Sequence, residues 1–134
     1  MKNKVIVVAV ALVAVFLVGF VPQYVKASRL ESELRQSHEA FAGAELRDLI
    51  GVAYLQANQK NYGLAADSIR RFFNRVREVV KESQDATRRN ALEDLLAPRD
   101  KITAELAKGD AAVLGDLQDL FIRTRAATQR ADAP

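Results

Sequence analysis

Residues 5–21 read VIVVAVALVAVFLVGFV, seventeen positions without one charged or hydrogen-bonding side chain. A helix needs roughly 17–25 apolar residues to span the hydrocarbon of a bilayer, and a core helix of a globular protein is seldom apolar all round for so long. Lys2 and Lys4 precede the run with no acidic neighbour, and Pro22 and Tyr24 follow it. This order of charge, apolar run and proline predicts an N-terminus in the cytoplasm and the rest of the chain outside, with the lipid bilayer as the first partner. Lys26, Arg29 and Arg35 on the far side nearly balance the two lysines, so the compact signal-like layout carries the orientation.

Two fates follow for residues 1–27. Val25-Lys26-Ala27 offers a signal-peptidase junction before Ser28, and cleavage there would release the domain. The apolar run exceeds the roughly 7–15 residues of cleaved signals, which favours a retained single-pass anchor. Both place the domain outside the cytoplasm.

The net charge of +3 belongs to this segment. Lys2, Lys4 and Lys26 account for three of the 20 basic residues, and all 17 acidic residues lie beyond Ser28. The remainder is neutral and has no field to gather a polyanion, so nucleic acid is not an expected partner. Cysteine is absent. That excludes disulfides, thiolate metal sites, thiol nucleophiles and covalent haem attachment through cysteine.

Beyond Ala27 the patterning is helical. Leu30, Leu34 and Phe41 share one stripe, with Ser37 between them, predicting an amphipathic stalk over residues 28–44 that Gly43 loosens. Leu46, Leu49, Ile50, Ala53 and Ala57 form a core face, while Val52 and Leu55 add apolar surface on other sides. Asn58 to Gly63 reads as a break. Ile69, Phe72, Phe73, Val76, Val79 and Val80 fall within an arc of about 120°, the cleanest core stripe in the chain. Leu92, Leu95, Leu96, Ile102 and Leu106 make the next; Pro98 interrupts it and is expected to kink a single helix there. Lys108-Gly109-Asp110 has the order of a helix stop followed by an N-cap. Val113, Leu114, Leu117, Leu120 and Phe121 mark the last helix, and residues 129–134 should fray. The expected fold is all-α: an N-terminal transmembrane or signal helix, the stalk, and an antiparallel bundle of about four helices over residues 45–128.

Little in the sequence points to chemistry. His38 stands alone, flanked by Ser37 and Glu39, and reads as a solvated residue rather than a ligand or general base. Asp116 and Asp119, near Glu105 and Asp110, fit a solvated face better than a cation site. Arg70, Arg71, Arg75 and Arg77 are the candidates for anion or lipid-headgroup contact, although they flank a core stripe on both sides and do not share one face. No phosphate loop or catalytic motif is present, and neither an enzyme nor a bound cofactor is expected. Val52, Leu55 and Ile122 fall outside their helices' core arcs and are the candidate partner contacts. The expectation is a non-enzymatic accessory or scaffolding subunit of a membrane or envelope complex, using a protein partner or self-association through helices. The alternative is an extracytoplasmic ligand-binding bundle.

Overall fold

The computed structural model describes the backbone of residues 2–129, and the side chains of residue 4, residues 6–15 and residues 25–129. Five α-helices account for nearly all of the described chain: α1 (Lys2–Asn58), α2 (Tyr62–Glu82), α3 (Ala86–Glu93), α4 (Arg99–Lys108) and α5 (Val113–Gln129). One 3₁₀ turn, Asp94–Leu96, separates α3 from α4. The chain divides into two units, Met1–His38 and Glu39–Pro134.

In the first unit every described residue belongs to α1. The large aliphatic side chains described between Ile6 and Val15 are 58–72% exposed. No helix among the described residues is long and apolar enough to cross a membrane. The side chains of Val5 and residues 16–21, on which the spanning-segment expectation also rests, lie outside those described. So do residues 130–134, most of the tail expected to fray.

The second unit is a helical bundle around one core. From α1 it buries Leu46, Ile50, Ala53 and Ala57, and from α2 Ile69, Phe72, Phe73, Val76 and Val79. Phe72 and Phe73 meet edge to face, centroids 5.3 Å apart, a favoured aromatic geometry. α2 packs on α3 and α4, and α5 packs on the same two. The unit begins at Glu39, so Ala42 and Gly43 are buried within it. Gly43 is not a loose point. Helix α1 runs through it, and a Cβ there would lie 3.1 Å from Thr128 Cβ, so the missing side chain lets α5 approach.

Pro98 lies at a break between two helices and does not kink a single one. α3 ends at Glu93, the chain tightens into the 3₁₀ turn, and Pro98 becomes the N-cap of α4. Proline has no N–H for the carbonyl of Asp94. That carbonyl instead accepts a 2.7 Å hydrogen bond from Arg123 Nη2 on α5. The apolar stripe survives the break: Leu92, Leu95, Ile102 and Leu106 are buried, and Leu96 packs half-buried against them.

Two helix ends use the same device. At Gly109 (φ 65°) the N–H groups of Gly109 and Asp110 donate to Leu106 and Glu105, a Schellman closure. At Lys60 (φ 62°) the N–H groups of Lys60 and Asn61 donate to Ala57 and Gln56 in the same pattern, with a side chain in the left-handed region. Asp110 then caps the following turn by accepting from Ala112 N at 2.9 Å.

Candidate functional site

The turns of α1 that bury Leu46, Ile50 and Ala53 must present other side chains outward, because successive residues rotate by about 100°. Leu55 lies about 180° from Leu46 on that count. It is 58% exposed where Leu46 is fully buried. Val52, one turn before Leu55 on the same side, is 37% exposed. Together they border an open, largely apolar groove of about 480 Å³ between α1 and α5. Asp48 and Gly51 continue the α1 wall; Gln118 and Phe121 form the α5 wall.

Gly51 gives the groove its depth. A Cβ at that position would touch only the ring edge of Phe121, at 3.7 Å. Arg47, at the groove's rim, is held by a 2.9 Å hydrogen bond from its Nη1 to Thr128 Oγ1 on α5. That bond and the close contact at Gly43 fix α5 against α1, and so fix the groove's width.

The structure thus brings two of the three predicted apolar contacts, Val52 and Leu55, into one groove. Ile122 is 58% exposed on α5 but is not part of its lining. Phe121, which the sequence assigns to the core, is only partly buried and supplies the groove's far wall. Its dual placement depends on how α5 is rotated against α1, which periodicity along one helix does not encode.

The basic cluster on α2 does not converge on one point. Arg70 pairs with Asp67 at 2.7 Å, and Arg77 donates to Asn74. Arg75 reaches across to α1, with Nε 2.7 Å from Glu45 Oε2, and also meets Glu78 and Glu82 at 3.1 and 3.7 Å. The hydrogen bond to Glu45, followed by that to Glu78, raises the pKa of Arg75 above the ordinary arginine value against its partial burial. Arg71 is exposed. Arg75 therefore ties α2 to α1, and Arg70 and Arg77 are surface residues with local partners.

The acidic residues are also accounted for by ion pairs. Asp116 takes Lys101 Nζ at 2.7 Å between α4 and α5, with Glu105 beside it, and Asp119 lies 3.9 Å from Arg123. Burial, then a hydrogen bond with Asp116, pushes the Glu105 carboxyl up; the Lys101 ammonium holds Asp116 down. Among the described residues no group of three or more His, Asp or Glu side chains is placed to hold a metal ion. His38 is exposed. Comparison with protein-family models, curated proteins and solved structures finds no match.

Proposed function

We propose that this chain is a non-enzymatic accessory or scaffolding subunit that works through the outer face of α1 in its second unit. Residues 5–21 hold it in a membrane, with the N-terminus in the cytoplasm and the helical bundle outside. The observation that carries the contact reading is the groove bordered by Val52 and Leu55: exposed and largely apolar, with Arg47, Asp48 and Gln118 as polar residues of its lining. Support for the membrane placement is the seventeen-residue apolar run, and the exposure of every large aliphatic side chain described between Ile6 and Val15.

One observation favours a second reading. A volume of about 480 Å³ falls inside the roughly 300–1,000 Å³ typical of ligand pockets, so the groove also has the size to take a small apolar molecule. The two readings separate in one experiment. The full-length chain, affinity-recovered from detergent-solubilised membranes, should carry a co-recovered polypeptide, which Gly51→Leu should remove by filling the groove. A small molecule released on denaturation, with no co-recovered polypeptide, would establish the second reading instead. Orientation is read independently: with no native cysteine, Asn74→Cys on exposed α2 should react with a membrane-impermeant maleimide in intact cells. Reaction only after lysis would reverse the topology.

A further inference from the structure

The outer face of α1 has the spacing of a coiled-coil seam. Phe41, Ala44, Asp48, Val52 and Leu55 lie within an arc of about 80° at 100° per residue. The centre of that arc lies about 170° from the centre of the core face formed by Leu46, Ile50, Ala53 and Ala57. Phe41 is 71% exposed, and Leu55 58%. In heptad register Phe41, Asp48 and Leu55 take position a, and Ala44 and Gly51 take position d. The α1 wall of the groove, Arg47, Asp48, Gly51, Val52, Tyr54 and Leu55, then reads g-a-d-e-g-a, the set of positions that forms the holes of a two-stranded seam. In the sequence the same three-and-four spacing runs back through Ser37, Leu34 and Leu30.

The geometry points to a second copy of this chain as the occupant, with the two α1 helices parallel and in register over residues 41–55. Charge supports self-pairing. A knob at position a sits in a hole that includes the partner helix's g residue, so each Asp48 meets the Arg47 of the other copy. The layer holds two carboxylates and two guanidinium groups, and its charges balance. A charged a layer costs stability but fixes register, because any slip sets Asp48 against an apolar side chain. Small residues at d, Ala44 and Gly51, let the helix axes approach while Phe41 and Leu55 supply the knobs. A parallel sense suits two chains anchored in one membrane with the same topology. This inference deepens the proposed function by naming the partner, and in its orientation it rests on that membrane anchoring.

The absence of cysteine makes the test direct. Single-cysteine variants Phe41→Cys and Leu55→Cys of the full-length chain are oxidised in cells, with Arg71→Cys on exposed α2 as the off-seam control. Helicity of each variant is checked by circular dichroism. Parallel pairing predicts a band of twice the chain mass from each seam variant alone and none from Arg71→Cys. It also predicts loss of the Leu55→Cys band when Phe41→Glu is added. A band that forms only when Phe41→Cys and Leu55→Cys chains are mixed would overturn the parallel sense. A Leu55→Cys adduct with a different polypeptide would overturn self-pairing and leave the accessory reading standing. No adduct at either seam position would overturn self-pairing too. The accessory reading falls separately, if a tagged chain recovered from membranes that also hold an untagged copy brings down neither that copy nor any other polypeptide.

Discussion

Arg88 holds Glu39 by both its side chain and its backbone: Nη1 lies 2.7 Å from Glu39 Oε2, and Nη2 lies 3.1 Å from the Glu39 carbonyl. Arg88 lies in the first turn of α3, which Asp85 caps by accepting from Thr87 N and Arg88 N. Its side chain is 8% exposed, that of Glu39 31%. The pair docks the start of α3 on the first residue of the second unit. Arg88→Met keeps the aliphatic stem and removes both hydrogen bonds. It should cost about 1–3 kcal/mol in chemical denaturation, the range for hydrogen bonds to a charged group. A loss below about 0.5 kcal/mol would place the pair among surface ion pairs of little weight.

The two Schellman closures differ in one respect, and that difference is measurable. Gly109 meets its left-handed backbone without a Cβ; Lys60 does not. Lys60→Gly should raise stability by about 0.5–1 kcal/mol, whereas Gly109→Ala should lower it by about 1–2 kcal/mol. A Cβ at Gly109 would lie in ordinary contact with Tyr62 Cδ2 at 3.4 Å, so the backbone conformation sets the penalty. Thermal melts of the two variants should move in opposite directions.

Gly43 and Gly115 both lie in helices, and their surroundings set opposite expectations. Gly115 has no atom within 4 Å of a built Cβ, so Gly115→Ala should stabilise by about 0.5–1 kcal/mol through helix propensity. At Gly43 the neighbour is Thr128 at 3.1 Å, and Gly43→Val should destabilise by about 1–3 kcal/mol as α5 is pushed away. Similar melting temperatures for the two would contradict the close approach of α1 and α5.

Glu105 gives the pH dependence its sign. Its folded-state pKa is raised, by burial first and then by Asp116, with Asp110 adding and Lys101 opposing. A raised carboxyl binds its proton more tightly folded than unfolded, so its contribution is present at low pH and is lost as pH rises through the folded value. Asp116 is lowered, chiefly by Lys101, and contributes above its unfolded value, with loss as pH falls. Glu105→Gln should therefore melt higher than the wild type at pH 7. The advantage should shrink towards about pH 4, where the wild-type carboxyl is protonated. A constant difference across that window would contradict the assignment.

What the sequence made legible was whatever depends on one helix at a time. The spacing of Ile69, Phe72, Phe73, Val76, Val79 and Val80 specifies a buried face; the first five are buried and Val80 packs half-buried against them. The order Lys108-Gly109-Asp110 specifies a stop and a cap: Gly109 closes α4, and Asp110 caps the turn that leads into α5. The half-turn between Leu46 and Leu55 already sends one inward and one outward. Contacts between helices were not legible. Gly43 reads as a flexible point until Thr128, 85 positions later, is seen against it. Pro98 reads as a kink until Arg123 is seen satisfying the Asp94 carbonyl, which lets the chain break there. The groove needs Gln118 and Phe121 as a second wall, and nothing within α5's own pattern turns them towards Gly51.

The claim that the outer face of α1 is a working surface rests most directly on Leu55. Exposed in the bundle, it can be replaced by aspartate without cost to the fold, so Leu55→Asp should melt within about 0.5 kcal/mol of the wild type. In a contact with another chain the same carboxylate would be buried without a partner. The measurement is association of full-length wild type and Leu55→Asp, recovered side by side from solubilised membranes at matched folded amounts. Loss of the associated polypeptide with an unchanged melt is the predicted result; full association retained by Leu55→Asp would contradict it.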